Sequence, residues 1–312
     1  MAQLTRKRVI LVELEASNQY GVDPTPAATD VVLVRDLSIT PQSSDVVNRD
    51  VVRPYLGASE QLLANTKVEC TFSVELAGSG TEGVAPRYGS ALLACGFAEA
   101  ISSGVSVTYT PLSASFPSVT IHYNVDGVRH IVTGCRGSFV LNAAVGEIPS
   151  IDFTFTGVYN APTTASLPSV TYGNQATPLI FKNGNTSGFS LLSHSGALMN
   201  MTMDVGNEIV YRELVGGTKE VLITDRAANG SVTIEAPALG TKDFFAAALT
   251  DASLGNLQFL HGTTAGNKVQ FISSKVDIGD VSYGEADGVT MLEIPYTLVP
   301  SAANDEMSLI FT

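Results

Sequence analysis

The heptapeptide VVNRDVV at 46–52 returns far down the chain as IVYRELV at 209–215. Each carries two aliphatic residues, a spacer, an Arg followed by an acid (Arg49-Asp50 and Arg212-Glu213), and two more aliphatics. One short match decides little, but others follow in the same order. LSIT (37–40) resembles MTMD (201–204), and FSVEL (72–76) resembles VTIEA (232–236). GSALLACG (89–96) resembles KDFFAAAL (242–249), and DGVRHIVTGCRGSFV (126–140) resembles GNKVQFISSKVDIGD (266–280). The spacing between partners only shrinks along the chain. A duplicated unit with shorter connections in its second copy gives that trend, whereas coincidences would scatter. A repeat fixes the number of folding units before any element is assigned. Two domains are therefore expected, 1–165 and 166–312, joined by the Pro-, Thr- and Ser-rich segment 161–178.

Units of this size fall in the usual range of about 100 to 200 residues per domain. Hydrophobic residues make up 45% of the 312 and charged residues 15%, so each half has enough apolar material for its own core. The abundance of Thr, Ser, Val and Gly favours strands and turns over long helices. Against 17 basic residues stand 30 acidic ones, a formal net charge of −13. This argues against a protein that grips nucleic acid by its phosphates, which needs clustered Lys and Arg. Cys70, Cys95 and Cys135 are odd in number and lack C-x-x-C spacing. They read as buried apolar residues of a reducing compartment, not as a disulfide framework. The opening MAQLTRKRVILVELEAS has a short apolar run broken by Glu13 and Glu15, and is expected to be neither a signal peptide nor a membrane span.

A period of two dominates the local pattern. Glu69, Thr71, Ser73 and Glu75 alternate with Cys70, Phe72, Val74 and Leu76, the signature of a half-buried strand. Ser231, Thr233 and Glu235 against Val232 and Ile234 repeat it, as do Asp152, Thr154 and Thr156 against Ile151, Phe153 and Phe155. Each half should thus carry a sheet with one polar face. Asp126-Gly127 between strands at 119–125 and 128–133 is a type I′ hairpin signal, and Gly266-Asn267 takes that role in the second half. One helix per half is expected, at about 88–101 and 241–252, the latter capped by Thr241. The fold class is α+β, mainly β.

Motifs that could carry chemistry are weak. Gly78, Gly80 and Gly83 spell G-x-G-x-x-G between a strand and a helix, but the matching connection EAPALGTKDFF lacks those glycines and joins the same elements. His194 lies between Ser193 and Ser195, and adjacent loop residues seldom form a nucleophile–base pair. His122 and His130 flank a hairpin without the further ligand that a metal site needs. Asp280, Glu285 and Asp287 lack the alternating spacing of a calcium loop and read as a solvated hairpin tip. No catalytic residue, metal site or cofactor is expected, and the chain is read as not an enzyme.

The segment QYGVDPTPAATDVVLVRDLSITPQSSDVVNRDVVRPYLGAS (19–59) resembles the opening of the tail tube proteins of long-tailed bacteriophages. A YGxDPTP-like segment, an aliphatic strand, a Pro-containing turn, an Arg-acid pair and a PYLG-like close carry the likeness. Tyr20, Gly21, Asp23, Pro24, Thr25, Pro26, Arg49, Asp50, Tyr55, Leu56 and Gly57 are the matching positions.

The resemblance implies two tandem β-sandwich or barrel-like domains, each with one flanking helix. It implies a virion protein whose trimeric, pseudo-hexameric rings stack into a tube that conducts DNA into the host. The long connections 41–67 and 205–229 would reach neighbouring rings, with Arg49, Asp50, Tyr55, Tyr211, Arg212 and Glu213 as contacts. Glu69, Glu75, Asp152, Glu235 and Glu293 would line the channel, where acids repel phosphates. Implied partners are further copies of the chain, the tape measure, tail terminator and distal tail proteins, and phage DNA in transit without specific binding. Assembly would take place in the bacterial cytoplasm, without membrane insertion. A capsid decoration or baseplate protein would share the origin without forming tubes, and a tandem β-sandwich adhesin would need a signal peptide.

Overall fold

In the computed structural model, which describes residues 4–250 and 254–312, the alternating segments become strands. The first half contains β1 (Arg8–Leu14), β2 (Arg35–Asn48), β3 (Gln61–Glu75), α1 (Gly89–Ala94), β4 (Phe97–Ser102), β5 (Ser106–Pro111), β6 (Val119–Val125), β7 (Val128–Ala144), β8 (Ser150–Tyr159) and β9 (Thr163–Thr164). The second contains β10 (Thr186–Leu191), β11 (Leu198–Asp204), β12 (Asn207–Arg212), β13 (Glu220–Arg226), β14 (Asn229–Glu235), α2 (Phe244–Ala248), β15 (Gly255–His261), β16 (Val269–Ile278), β17 (Ser282–Ala286), β18 (Val289–Leu298) and β19 (Ser308–Phe311). The protein is mainly β, with two short helices, as its composition demanded.

One cycle of antiparallel pairing occurs in both halves. It runs β1-β6-β7-β8-β3-β2 in the first and β10-β15-β16-β18-β14-β11 in the second. Register follows suit. Ser38, Ile39 and Thr40 face Thr71, Cys70 and Glu69, while Thr202, Met203 and Asp204 face Ser231, Gly230 and Asn229. The long strand of each half is bulged at a matching place, between Thr133 and Arg136 in β7 and between Ser273 and Val276 in β16. Such bulges bend a strand and let it serve two ladders. β7 accordingly pairs with β6 through its first part and with β8 through the remainder.

Across the expected boundary, β11 adds to the free edge of β7, with Asn200 opposite Ala144 and Asp204 opposite Val140. An eight-stranded antiparallel sheet results, in the order β2-β3-β8-β7-β11-β14-β18-β17. β19 makes a second crossing, between β16 and β5. The apolar residues form one cluster that draws on both halves, with Phe72, Phe139 and Phe153 in the first and Phe181, Phe259 and Phe271 in the second. Each such side chain contributes about 1.5–3 kcal/mol on leaving water, which makes this cluster the main source of stability.

Several local expectations are corrected. The helix expected over 88–101 stops at Ala94, and 97–102 instead form β4 against β5. The ladder satisfies backbone groups that one helical turn leaves open. α2 is equally short; its cap is Asp243, not Thr241, with the Asp243 carboxylate accepting the Ala246 N–H at 2.9 Å. The part of that expected helix at 251–252 lies outside the described residues. Asp126-Gly127 does join β6 to β7 as a two-residue turn, but only Gly127 has positive φ, so it is not type I′. That geometry occurs at Asp287-Gly288, with φ of 52° and 78°, between β17 and β18. Gly266-Asn267 sits in a wider loop closed by the His261–Val269 pair. The long connections 41–67 and 205–229 are largely strand: the outer parts of β2 and β3 form one two-stranded arm, and β12 with β13 forms another.

Candidate functional site

The weak motifs resolve into packing. Gly78 and Gly80 cross the backbone of the 266–267 loop, where the Gly80 N–H donates to Gly266 O at 2.9 Å and the Gly78 N–H to Asn267 Oδ1 at 3.0 Å. A Cβ on Gly78 would stand 2.1 Å from Gly266 O, so these glycines permit contact between the two halves rather than cradle a phosphate. The His194 ring lies edge-on to Phe244. His122 and His130 face Ile131 and Tyr123 across the same ladder, so they point to opposite faces of the sheet. His122 instead meets the carboxylate of Asp23 at 3.0 Å, and burial holds its pKa below the usual value, with Asp23 working the other way. Asp287 belongs to the tip of the β17–β18 hairpin. Cys70, Cys95 and Cys135 are buried free thiols, and burial raises all three pKa values. Among the described residues no cluster of three metal-ligating side chains occurs, and no helix is long and apolar enough to cross a membrane.

What the structure does assemble is a polar sheet face. Side chains directly opposite each other in a ladder share a face. Glu75, Ser150, Asn142, Thr202, Ser231 and Pro295 form one row across six of the eight strands, and Ala144, Asn200, Thr233, Glu293 and Ser282 the next, across five. Glu69, Asp152 and Glu235 lie on the same side. All five acids named from the sequence therefore share one face of one sheet. Asp204 joins them, opposite Val140 and Asn229; sequence reasoning passed over it although MTMD had been matched to LSIT. Asp152 accepts from Asn142 Nδ2 at 2.7 Å. Of the cations on this face, Arg35, opposite Ser73 at the edge strand β2, is exposed, and Lys67 pairs with Glu69 at 3.0 Å. Arg136 turns away to the carbonyls of Phe116, Pro117 and Val221, which leaves the acids in excess.

Both arms leave the same end of this sheet. In the first, Arg49 pairs with Glu60 at 2.9 Å, not with its neighbour Asp50. In the second, Arg212 lies 3.9 Å from Glu220, and Lys219 pairs with Glu213 at 3.0 Å. The two arginines thus form matching cross-strand pairs within their own arms. Tyr211 donates to Glu213 at 3.2 Å; burial, reinforced by that carboxylate, pushes its pKa up to about 12. The tips differ from the bases. Val51, Val52, Tyr55 and Leu56 on the first arm and Leu214 and Val215 on the second are exposed. The base of the second arm is tied down, with Asn207 Nδ2 donating to the carbonyls of Cys95 at 2.7 Å and Gly137 at 2.9 Å.

The YGVDPTP segment is built around a buried carboxylate. Glu15 accepts the Gly21 and Gly134 N–H groups and the hydroxyls of Ser118 and Thr120, all at 2.6–2.8 Å. These bonds bring Tyr20 onto the bulge of β7 and toward β13. The sequence matches the family model for phage tail tube proteins over residues 5–298. The chain belongs to the phage tail tube protein family. No curated protein matches it. It is a structural protein of the phage tail and a component of the virion. At the end of this tail protein's sheet opposite the arms, Val145, Leu198, Met199, Val289 and Met291 line an apolar groove, with Val145, Met199 and Val289 exposed.

Proposed function

We propose that the chain is two copies of one tail-tube domain, with the boundary near Ala165, and that three chains close into a pseudo-sixfold ring. The observation that carries this reading is the recurrence of one pairing cycle, in matching register, on the two sides of a shared sheet. A ring closed by rotation has no free lateral edge, while head-to-tail stacking stays open and gives a filament. The polar face lines the channel, where its surplus of carboxylates keeps DNA from adhering. The arm tips meet the next ring, because arms and apolar groove stand at opposite ends of the sheet and a translated copy brings them together. The tube conducts the genome during ejection and is built in the bacterial cytoplasm. It meets the tape measure, tail terminator and distal tail proteins at its lumen and ends. Its work is structural, not catalytic. Electron microscopy of the purified, concentrated protein tests the reading: stacked rings of three chains with pseudo-sixfold averages are expected, and rings of six chains or a persistent monomer overturn it.

A further inference from the structure

The connection from β1 to β2, residues 16–33, has no equal in the second half, where 192–197 suffice to join β10 to β11. Apart from one bridge, Leu11 with Val31, it carries no regular structure beyond turns. Structureless connections longer than about 12–15 residues inside a compact domain usually serve a function. This one lies as a strap along the edge of β1 that faces away from β6. The Val12 N–H donates to Asp30 O at 2.9 Å and the Val32 N–H to Ile10 O at 3.2 Å.

Polar contacts do most of the holding. Asp23 meets His122, Asp30 pairs with Arg87 at 3.3 Å, the Gly21 N–H reaches Glu15, and the Thr171 N–H donates to Ala28 O at 3.0 Å. Of the strap's own residues only Pro26, Val31 and Val32 are buried. Polar groups regain water when they part, so each such bond contributes little net stability, and the strap can lift while the core stays closed. Closure also works against strain. Thr25 has a φ of 65° between Pro24 and Pro26, a conformation that a β-branched residue rarely adopts and that a following proline disfavours further. Tyr20 carries the strap's position elsewhere, since its hydroxyl bonds Gly134 O in β7 and the Val221 N–H in the second arm. The short connection 192–197 of the second half contains no tyrosine.

We propose that residues 16–33 act as one latch, which lifts from β1 and β6 as a unit in the unassembled subunit and, when closed, fixes the second arm through Tyr20. The latch is a property of the single chain. Its use in assembly rests on the stacking reading above: with the strap open, the arm is not held in the position that meets the next ring.

Leu11 and Val31 offer a way to bolt the strap. The bonds that flank them, Val12 to Asp30 and Val32 to Ile10, make them a non-hydrogen-bonded antiparallel pair, the kind whose Cα atoms stand closest and within disulfide reach. The full chain with Leu11→Cys and Val31→Cys can therefore be bolted by oxidation and freed by reduction, while Cys70, Cys95 and Cys135 stay buried. Amide exchange is read at Val12, Gly21, Thr171 and Val221, which lie in separate stretches of the chain and share only the strap. In the unmodified and the reduced chains these amides are expected to exchange at one common rate, faster than the centre of β3, and the bolt should slow them all about tenfold or more. Scattered rates, or rates as slow as that of β3, overturn the latch. A Val221 rate that ignores the bolt overturns its hold on the arm. Thr25→Asn gives a route without new cysteines, because Asn tolerates positive φ; it should slow the same amides, and unchanged exchange overturns a latch closed against strain. Tube growth is followed beside exchange, and the bolted protein is expected to elongate faster than the reduced one. Equal growth with Val221 quieted withdraws the arm's stacking role and leaves the latch.

Discussion

The phenol oxygen of Tyr20 accepts the backbone N–H of Val221 at 2.6 Å. The same hydroxyl donates to Gly134 O at 2.9 Å, and the Arg136 guanidinium, 5.0 Å above the ring, donates to Val221 O at 2.7 Å. Residues far apart in sequence are thereby joined: the YG pair, the bulge of β7, and the outer end of the second arm's ladder, where Val221 faces Tyr211. Burial pushes the Tyr20 pKa up to about 12, so the hydroxyl stays protonated and can fill both roles.

Replacing Tyr20 by Phe keeps the ring but leaves the Val221 N–H and the Gly134 carbonyl without this partner. The expected cost is about 1–3 kcal/mol, read as a lower urea midpoint of the unassembled subunit. Amide exchange at Val221 should quicken while the centre of β3 keeps its protection. Unchanged protection at Val221 would show that the arm is held by other contacts.

The sequence disclosed strands better than it disclosed what joins them. Alternation located the polar face at Glu69, Glu75, Asp152 and Glu235, because period two is local and needs no tertiary knowledge. β6 was placed correctly by the Asp126-Gly127 signal. Helix lengths were not legible, since GSALLACG and KDFFAAAL are apolar on all sides and only the pairing of β4 with β5 decides where α1 stops. Nor was the exact register: the notion that Arg136 corresponds to Val276 fails by one residue, because Arg136 and Asp277 face Thr156 and Thr297. The β11–β7 join and the role of Tyr20 arise from long-range contacts that no spacing in the chain encodes.

Acid should weaken the unassembled subunit through three imidazoles that packing shields from water, His122 and His261 buried and His130 half-buried. Burial lowers the pKa of His122, His130 and His261. For His261 the geometry agrees, since Nε2 faces Leu179 O at 3.2 Å and Nδ1 faces the Thr186 hydroxyl at 2.9 Å, the arrangement of a neutral ring that donates at Nε2 and accepts at Nδ1. The folded state therefore prefers the neutral form, while the unfolded chain takes up protons near the ordinary value of about 6.5. The stability from these groups is present above that pH and is lost as pH falls through the lower folded values. Urea midpoints should be level between pH 7 and 8 and decline on acidification below about 6.5. His261→Asn should flatten part of that slope; identical slopes in the two proteins would clear His261.

Reversing charge on the polar face should separate assembly from transport. Glu69→Lys and Glu75→Lys together alter half-buried positions on the polar side of β3, whose opposite face forms the core, so tubes of ordinary shape are expected. Particles carrying them should release DNA more slowly at low salt, and recover toward the ordinary rate as salt screens the attraction. Unaltered release at low salt would remove these residues from the channel.

The arms give the last prediction. Arg49 and Glu60 are more than half exposed, and exposed pairs of this kind contribute at most about 1 kcal/mol. Arg49→Ala combined with Arg212→Ala should therefore leave the melting of the subunit nearly unchanged. Tube growth should fail all the same, because each arginine braces the neck of an arm whose tip is apolar and fully exposed at Val52, Leu56 and Val215. Contacts between rings concentrate in a few anchors, so a tip that loses its brace loses its aim before the domain loses its fold. Thermal melting of the soluble chain and filament length by microscopy read the two effects separately. Full-length tubes from the double variant would withdraw the stacking role, and a fall in melting temperature that matches the loss of tubes would assign both arginines to folding within their own arms.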